Sequence, residues 1–463
     1  MNNNDVVIID GCRTAVGNMG GTLKNIPAVD LATVCLKGII ERTGVDASQI
    51  DDVILGQCRQ TSDEPNIARV AALQAGIPVE VPAYTTMRQC ASGMTAVHNA
   101  YSAIKAGVNE LVLAGGTESM SRGVFYIRDA RYGVGTGNTE LVDAITEGQF
   151  RSQPQEVYGS YNMGATAENM SATAYAMPKA RWGARMNDVK MVDMMVNDGL
   201  WDAFNGYHMG ITAENVAEQW GITREQLDEF SVISQNRAEA AIKAGKFKDE
   251  IVPVEVPQRK GDPIIFDTDE FPRRDTSLEK MAKLKPVFNI VRDEQGRVFN
   301  TKELTGTVTA ASSSGRNDGA SVLMIASGEK AKELGVKPMA KIIGIGTAGC
   351  DPRFMGMGPI YAVPKALKMA GLTLDDIGLI ELNEAFAAQA LICIKKLGLE
   401  DRMDIINVNG GAVSLGHPVG SSGSRIIVTL MYEMKRRGVK YGLATLCIAG
   451  GMGQAAVIEL LED

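Results

Sequence analysis

Two cysteines and one histidine stand in glycine-rich settings at three distant points of the chain. Cys90 lies in Arg88-Gln89-Cys90-Ala91-Ser92-Gly93-Met94. His417 lies in Gly410-Gly411-Ala412-Val413-Ser414-Leu415-Gly416-His417-Pro418, and Cys447 opens Cys447-Ile448-Ala449-Gly450-Gly451-Met452-Gly453. A thiolate attacks a thioester carbonyl well and can hold the acyl group it takes. An imidazole can activate that thiol as a general base. A second thiol offers a further acid/base for moving a proton. Together the three suit carbon–carbon bond chemistry on a thioester.

Each residue also has a plainer reading. Cys90 sits where a strand turns into a helix of small residues. The free N–H groups of a helix start favour thiolate over thiol, and Ala91, Ser92 and Gly93 let a bulky substrate approach. Alone, Cys90 is equally readable as a buried structural cysteine. His417 is one of three histidines, with His98 and His208. It stands in a glycine-rich loop before a predicted helix, with Pro418 stiffening the backbone behind it, which suits a base better than a core histidine. His98 falls inside the helix after Cys90 and reads as structural. Cys447 ends a predicted strand, and the glycines after it free N–H groups for an oxyanion. Asn383-Glu384-Ala385-Phe386 follows another predicted strand. Asn383 can hold a water or polarise a carbonyl, whereas Glu384 reads as structural. Met355-Gly356-Met357-Gly358-Pro359 is either pocket lining or core.

Alternating short strands and helices must position these residues. Strands are predicted at 6–9, 53–55, 111–114, 322–326, 341–346, 379–382, 405–408 and 443–448, with helices at 28–43 and 91–106. Continuous apolar strands separated by helices imply a sheet covered on both faces. The two halves echo each other. Cys90-Ala91-Ser92-Gly93 opens a helix followed by a strand ending in Ala114-Gly115-Gly116. Gly420-Ser421-Ser422-Gly423 opens a helix followed by a strand ending in Ala449-Gly450-Gly451. A duplicated α/β domain follows from this.

A second, local repeat is sharper. Ala130-Arg131-Tyr132-Gly133 recurs as Ala180-Arg181-Trp182-Gly183, and Leu141-Val142-Asp143 as Met191-Val192-Asp193. Met163-Gly164-Ala165-Thr166-Ala167-Glu168-Asn169 recurs as Met209-Gly210-Ile211-Thr212-Ala213-Glu214-Asn215. A tandem copy of about 50 residues fits the pattern. Asn162 precedes the first Met-Gly and His208 the second, so only the second copy can serve if this histidine meets substrate.

Composition narrows the class. The 463 residues carry a net charge of -8, with 45% hydrophobic and 22% charged residues. That is globular, and the acidic balance argues against a partner bound through phosphate neutralisation, such as nucleic acid. No apolar run reaches the roughly 18 residues that span a bilayer. The seven cysteines are scattered without a CxxC, which suits free thiols in a reducing compartment better than zinc or disulfide frameworks. The start is neither a signal nor a transit peptide, so a cytoplasmic location is expected. The stretch 258–314 is polar and turn-rich, and reads as a lid or ligand-contact region or as a solvated excursion.

These motifs resemble the thiolase family, most closely its biosynthetic acetyl-CoA C-acetyltransferases. The resemblance rests on Cys90-Ala91-Ser92-Gly93-Met94, Gly115-Gly116-Thr117-Glu118-Ser119-Met120-Ser121, Asn383-Glu384-Ala385-Phe386, Gly416-His417-Pro418 and the Cys447 segment. It begins at Val6 and covers nearly the whole chain. It implies a duplicated five-layered α-β-α-β-α fold: an N-terminal domain of 1–118 continued by 317–338, a loop domain of 119–316 holding the tandem copy near 120–215, and a C-terminal domain of 339–463.

The resemblance also implies roles. Cys90 would be the acylated nucleophile, His417 its base, and Cys447 the group that moves the α-proton. Asn383, through a water, would form one oxyanion hole with His417, and the N–H groups of Cys90 and Ala449 the other. His208, Met209 and Ser314 would meet the pantetheine and acyl end, Arg273 the nucleotide part, and Phe288, Met355 and Phe386 would line the acyl pocket. The substrates would be acetyl-CoA and coenzyme A, with no metal or redox cofactor, in a homo-oligomer, tetramer or dimer. Three rivals stand beside this: a degradative 3-ketoacyl-CoA thiolase, a condensing enzyme acting on acyl carrier protein, and a non-catalytic relative. The family's usual Ala-Gly-Asn-Ala-Ser-Gly is here Ala310-Ala311-Ser312-Ser313-Ser314-Gly315, Ala449 replaces a usual glycine, and 289–304 reads as an insertion.

Overall fold

The first strand, β1 (Val6–Arg13), already shows how the molecule is layered. Val7 and Ile9 enter one apolar core, and Val6 and Ile8 enter another. Successive side chains of a strand point to opposite faces, so this strand is covered on both sides. The computed structural model describes residues 2–60, 64–123, 207–288 and 306–461, with short strand pairs between them at 125–126, 142–143, 175–176, 192–193 and 201–202.

In chain order, β1 is followed by helix α1 (Ala28–Thr43), β2 (Asp52–Gly56), α2 (Ile67–Gln74), β3 (Ala83–Thr86), α3 (Ser92–Lys105) and β4 (Leu111–Ser119). Beyond the short pairs come α4 (Met209–Trp220) and α5 (Arg224–Lys243), then β5 (Asn317–Ser327) and β6 (Ala340–Gly349). The chain closes with α6 (Gly358–Ala370), β7 (Leu379–Leu382), α7 (Ala387–Lys396), α8 (Ser422–Arg437), β8 (Tyr441–Ile448) and β9 (Met452–Leu460).

Among the described residues the strands run β7-β8-β9-β6-β1-β5-β4-β2-β3, with the N- and C-terminal halves joined where Val7 and Ile8 pair with Lys341 and Ala340. Each half repeats one plan. The pair β2/β4 is parallel and β4/β5 and β5/β1 are antiparallel; likewise β7/β8 is parallel and β8/β9 and β9/β6 are antiparallel. Helix α3 precedes β4 as α8 precedes β8. Helices α1 and α2 cover the outer face of the first half, and α6 and α7 that of the second. Helices α3 and α8 share the middle core with inward residues of both halves. Five layers result, as the sequence implied.

The sequence explains the layers. On α1, Ala32, Cys35, Leu36 and Ile39 fall on one face, and Gly44 in a left-handed conformation caps the end with its N–H on Ile40 O. On α8, all residues from Ser422 to Met434 are buried before Lys435-Arg436-Arg437 reaches solvent. A helix buried all round belongs between two sheets. Strands β1, β4, β5 and β6 are longer than expected, and β9 was not anticipated. The stretch 405–408 is not a strand: it follows a short 3-10 helix at Glu400–Ile405, and only Ile406 bridges to Ile380.

A buried arginine ties the N-terminal half to the segment after α5. Arg13 Nε donates to Glu250 at 2.6 Å, and its Nη1 and Nη2 donate to Asp269 at 2.7 and 2.9 Å. Between β4 and α4, Phe125–Tyr126 pairs with Val142–Asp143, and Tyr175–Ala176 pairs with Val192–Asp193. The second pairing repeats the first with every residue number raised by 50. The second copy's residues 209–215 open α4, whereas Asn162, residues 163–169 and the 289–304 stretch lie outside the described residues. Among the described residues no helix is long and apolar enough to cross a membrane.

Candidate active site

The site forms where α3 and α8 begin. A side chain at Gly93 would place Cβ 2.6 Å from Ser424 Oγ and 2.9 Å from Gly420 O; one at Gly423 would lie 2.5 Å from Met94 N. The helices therefore cross at backbone contact, which glycine alone permits. Cys90 stands just before α3, and His417 lies in the loop before α8. The two sequence echoes, Ser92-Gly93 and Ser422-Gly423, meet each other.

His417 is buried and tightly framed. Its N–H donates to Asn317 Oδ1 at 2.9 Å, and Arg316 bridges to it. Gly416 has φ +95, and a Cβ there would lie 2.4 Å from Asn317 Cγ. The ring Nδ1 is 2.6 Å from Ser422 Oγ, and Nε2 has no protein partner. Burial, reinforced by the Arg425 guanidinium, lowers the imidazole to about 3. It rests neutral, as a base must.

Cys90 is half-buried. The nearby Ala449 N–H and the backbone N–H of Cys90 itself favour the charged form of its sulfur. The expectation that the helix start holds it as thiolate is corrected here. Burial raises the thiol above its ordinary value, and the Ala449 N–H and the Arg59 guanidinium only partly oppose this. Cys90 therefore rests as a thiol. Gln89 before it has φ +47, an uncommon conformation for a side-chain residue. Ser92 Oγ pins this turn by accepting from Arg88 N and donating to Gln89 O.

Cys447 is fully buried near the end of β8, opposite Gly453. Burial and the neighbouring Cys90 push its thiol well above the usual value. Its thiolate is a correspondingly strong base, as a carbon acid demands. Gly451, at φ +80, accepts the Cys350 N–H at 2.7 Å, and a Cβ there would meet Cys350 O at 2.4 Å.

Asn383 follows β7, with its N–H on Thr445 O at 2.9 Å. It is 1% exposed, yet both side-chain amide atoms lack a protein partner. A buried amide left open in this way suits a bound water or substrate oxygen. The 313–317 segment links it to the histidine loop: Ser313 bridges Phe386, Ser314 N–H donates to Ala385 O at 3.0 Å, and Arg316 bridges His417. Glu384 is structural. It accepts Ser234 Oγ, Val413 N and Asn407 Nδ2 at 2.7, 3.1 and 2.7 Å, which fixes the loop leading to His417. His98 is buried within α3, also neutral, consistent with a structural part.

Phe288, Met355 and Phe386 share one apolar cluster with Cys447 and Ala449. The Phe288 ring lies against Gly210, where a Cβ would meet it at 1.9 Å. Helix α4, which starts at Met209, is held through Glu214, whose carboxylate accepts Thr307 N and Val308 N. The side chains of His208 and Met209 lie outside the described residues. Arg273 is exposed, with its N–H on Gln235 Oε1 at 2.9 Å, away from the thiols.

Sequence reasoning missed Ser422, Asn317 and the pair Arg59–Glu118. Glu118 accepts Cys58 N at 3.0 Å and Gly420 N at 3.1 Å, clamping the loop after β2 to the loop before α8. Burial raises it to about 7 against the pull of Arg59. Ser422, five residues after His417, carried a usable signal in the repeated Ser-Gly; the others did not.

A continuous two-half fold with Cys90 and His417 at the starts of its two central helices is the plan of an acyl-transferring condensing enzyme. The family model described as "Thiolase, N-terminal domain" matches residues 6–173 and again 164–329, and "Thiolase, C-terminal domain" matches 336–460. The chain is 47% identical to the acetyl-CoA acetyltransferase of Cupriavidus necator, over 98% of this chain and 99% of that one. It is 45% identical to that of Allochromatium vinosum, over 99% of each. The Bacillus anthracis acetyl-CoA acetyltransferase structure superposes with TM-score 0.80 at 40% identity, covering 99% of both chains. Human mitochondrial 3-ketoacyl-CoA thiolase in complex with CoA superposes with TM-score 0.81 at 35% identity, covering 99% of this chain and 98% of that one. The chain belongs to the thiolase family.

Proposed function

We propose that the chain condenses two acetyl-CoA to acetoacetyl-CoA and free coenzyme A, and runs the reverse thiolysis, through an acetyl-cysteine on Cys90. Cys90 attacks the thioester as its proton passes to His417 Nε2, and that proton leaves on the coenzyme A sulfur. Cys447 passes its thiol proton to His417 Nε2 and takes the α-proton of a second acetyl-CoA. The resulting enolate attacks the acetyl-enzyme, the bond from the acyl carbon to Cys90 breaks, and the Nε2 proton returns to the Cys90 sulfur. In thiolysis Cys90 attacks the 3-keto carbon, the carbon–carbon bond breaks, and the Cys447 thiol protonates the departing α-carbon. Asn383 and His417, while its Nε2 carries the transferred proton, serve one oxyanion, and the Cys90 and Ala449 N–H groups the other. Phe288, Met355 and Phe386 line the acyl pocket, with Met209, His208 and Ser314 toward the pantetheine and Arg273 toward the nucleotide. Coenzyme A thioesters are substrates here, and the chemistry calls for no metal or redox cofactor. The observation that carries the reading is the pair of buried, partnerless polar groups, Asn383 amide and His417 Nε2, together with a buried Cys447 close enough to Cys90 to feel its charge.

A broader degradative 3-ketoacyl-CoA thiolase is the second reading, favoured by the likeness to the human enzyme. Thiolysis of acetoacetyl-CoA, 3-ketohexanoyl-CoA and 3-ketodecanoyl-CoA, beside Cys90→Ala, decides. Activity confined to acetoacetyl-CoA and lost in the variant supports the first. Equal or better turnover of long chains moves the assignment to the second.

A cytoplasmic homo-oligomer completes the reading. Strand β3 is a sheet edge flanked by exposed Leu73, Val79, Tyr84 and Met87, which a second copy would cover. The repeated hairpin pairing 50 residues apart supports a tandem copy within a loop domain of 119–316, between an N-terminal domain of 1–118 with 317–338 and a C-terminal domain of 339–463. Light scattering should give a dimer or tetramer for the full chain, and deleting 120–169 should change its assembly state or its kinetics. A monomer would refute the first idea, and unchanged assembly and kinetics the second.

A further inference from the structure

We infer that Ser422 is a positioning residue that sets the ring tautomer of His417, keeping the proton on Nδ1 and leaving Nε2 bare to take the Cys90 proton. The inference rests on the reading of His417 as the base. Ser422 is the first residue of α8 and is fully buried. Its Oγ lies 2.6 Å from His417 Nδ1 and 3.0 Å from Pro418 O. A hydroxyl has one proton to give, and a carbonyl can only accept. With the proton on Pro418 O, Oγ offers a lone pair to Nδ1, so Nδ1 carries hydrogen and Nε2 does not.

The other half of the fold shows this direction without ambiguity. Ser92, first in α3, accepts the backbone N–H of Arg88 at 3.0 Å and donates to Gln89 O at 2.7 Å. An N–H can only donate, so the serine proton must point back to the loop carbonyl. Ser422 is likewise the first residue of its helix, with its carbonyl four residues back rather than three. There the Nδ1–H of His417 plays the part that the Arg88 N–H plays in the first half.

The arrangement works through the whole proton cycle. When Cys90 sulfur bonds to the acyl carbon, its proton moves to Nε2. Nδ1–H keeps its bond to Ser422 Oγ throughout, and nothing else turns. When the carbon–sulfur bond to coenzyme A breaks, the Nε2 proton leaves on that sulfur. In the opposite tautomer Nε2 would already carry hydrogen and could not accept. Nδ1 meets a neutral hydroxyl rather than a carboxylate, and Arg425 stands nearby. The imidazolium is thus short-lived and returns its proton readily.

The chain has three histidines, so ¹⁵N-imidazole labelling resolves each ring, and loss of one set in His417→Gln assigns His417. Two-bond ¹H–¹⁵N spectra of the full-length wild type at neutral pH should show His417 with hydrogen on Nδ1. Ser422→Ala should abolish that preference and lower thiolysis kcat about tenfold, out of the roughly hundredfold or more that a placed base supplies, with KM within about twofold. Ser422→Thr, which keeps the hydroxyl, should restore the Nδ1–H signature. A wild-type His417 carrying hydrogen on Nε2 overturns the inference, whatever the variants do. Full thiolysis in His417→Gln would instead remove the base assignment and leave the tautomer result standing.

Discussion

Cys90 and His417 meet as a neutral thiol and a neutral imidazole. Burial outweighs the Ala449 N–H and Arg59 at the cysteine, and burial together with Arg425 lowers the histidine. Ser422, a neutral hydroxyl, adds no counter-charge on Nδ1 that would favour a separated thiolate–imidazolium pair. Alkylation of Cys90 by iodoacetamide in the absence of substrate should therefore keep rising beyond pH 9, with no inflection near 6.5. A plateau reached by pH 7.5 would show a preformed ion pair. Asn383→Ala should lower kcat by about 10- to 1,000-fold while leaving Cys90 alkylation unchanged, because the open amide serves the oxyanion and not the thiol. Loss of alkylation in that variant would place Asn383 in the framing of Cys90 instead.

At the scale of elements, the helix crossing decides whether the two halves form one site. Gly93 and Gly423 bring the first turns of α3 and α8 to backbone contact. Each added Cβ meets backbone, which cannot swing aside. Gly423→Ala should lower stability by about 1–3 kcal/mol and reduce kcat further than its stability loss explains, since the His417 loop moves with α8. Thermal melting and thiolysis on the same sample check this, and wild-type kcat in a destabilised variant would separate the crossing from catalysis. The flanking segments add rigidity through Glu384 and Glu118, each a carboxylate spent on loop N–H groups.

Across the whole molecule, buried titratable groups predict how stability varies with pH. Glu381 is held at about 8 by burial and Glu118 at about 7, against 4.5 for an open chain. Between those values the folded state keeps protons that the unfolded state has lost, so stability falls as pH rises. His98 and His417 are lowered from 6.5 to about 3, so the unfolded state binds more protons below 6.5 and stability falls as pH drops. From pH 6.5 to 8 only the carboxyls of this set still titrate. Melting should decline over that window, and Glu381→Gln should flatten the decline. An unchanged slope in Glu381→Gln would mean that its partner Arg425 keeps Glu381 ionised in the fold.

Much of this was legible from order along the chain. The alternation of strands and helices and the echo of Ser92-Gly93 in Ser422-Gly423 determined a duplicated sheet covered on both faces. The Cys90, His417 and Cys447 settings determined the candidate chemistry, and the resemblance of those motifs to a known family implied the five layers. Local pattern is enough for these because periodicity and glycine placement are local properties. Tertiary structure alone decided that 405–408 is no strand, since its backbone finds a single bridge to Ile380. It also decided that Glu384 anchors a loop, that Cys90 rests protonated, and that Ser422 rather than a carboxylate faces Nδ1. Desolvation and hydrogen-bond direction depend on groups hundreds of residues apart, and no spacing along the chain encodes them.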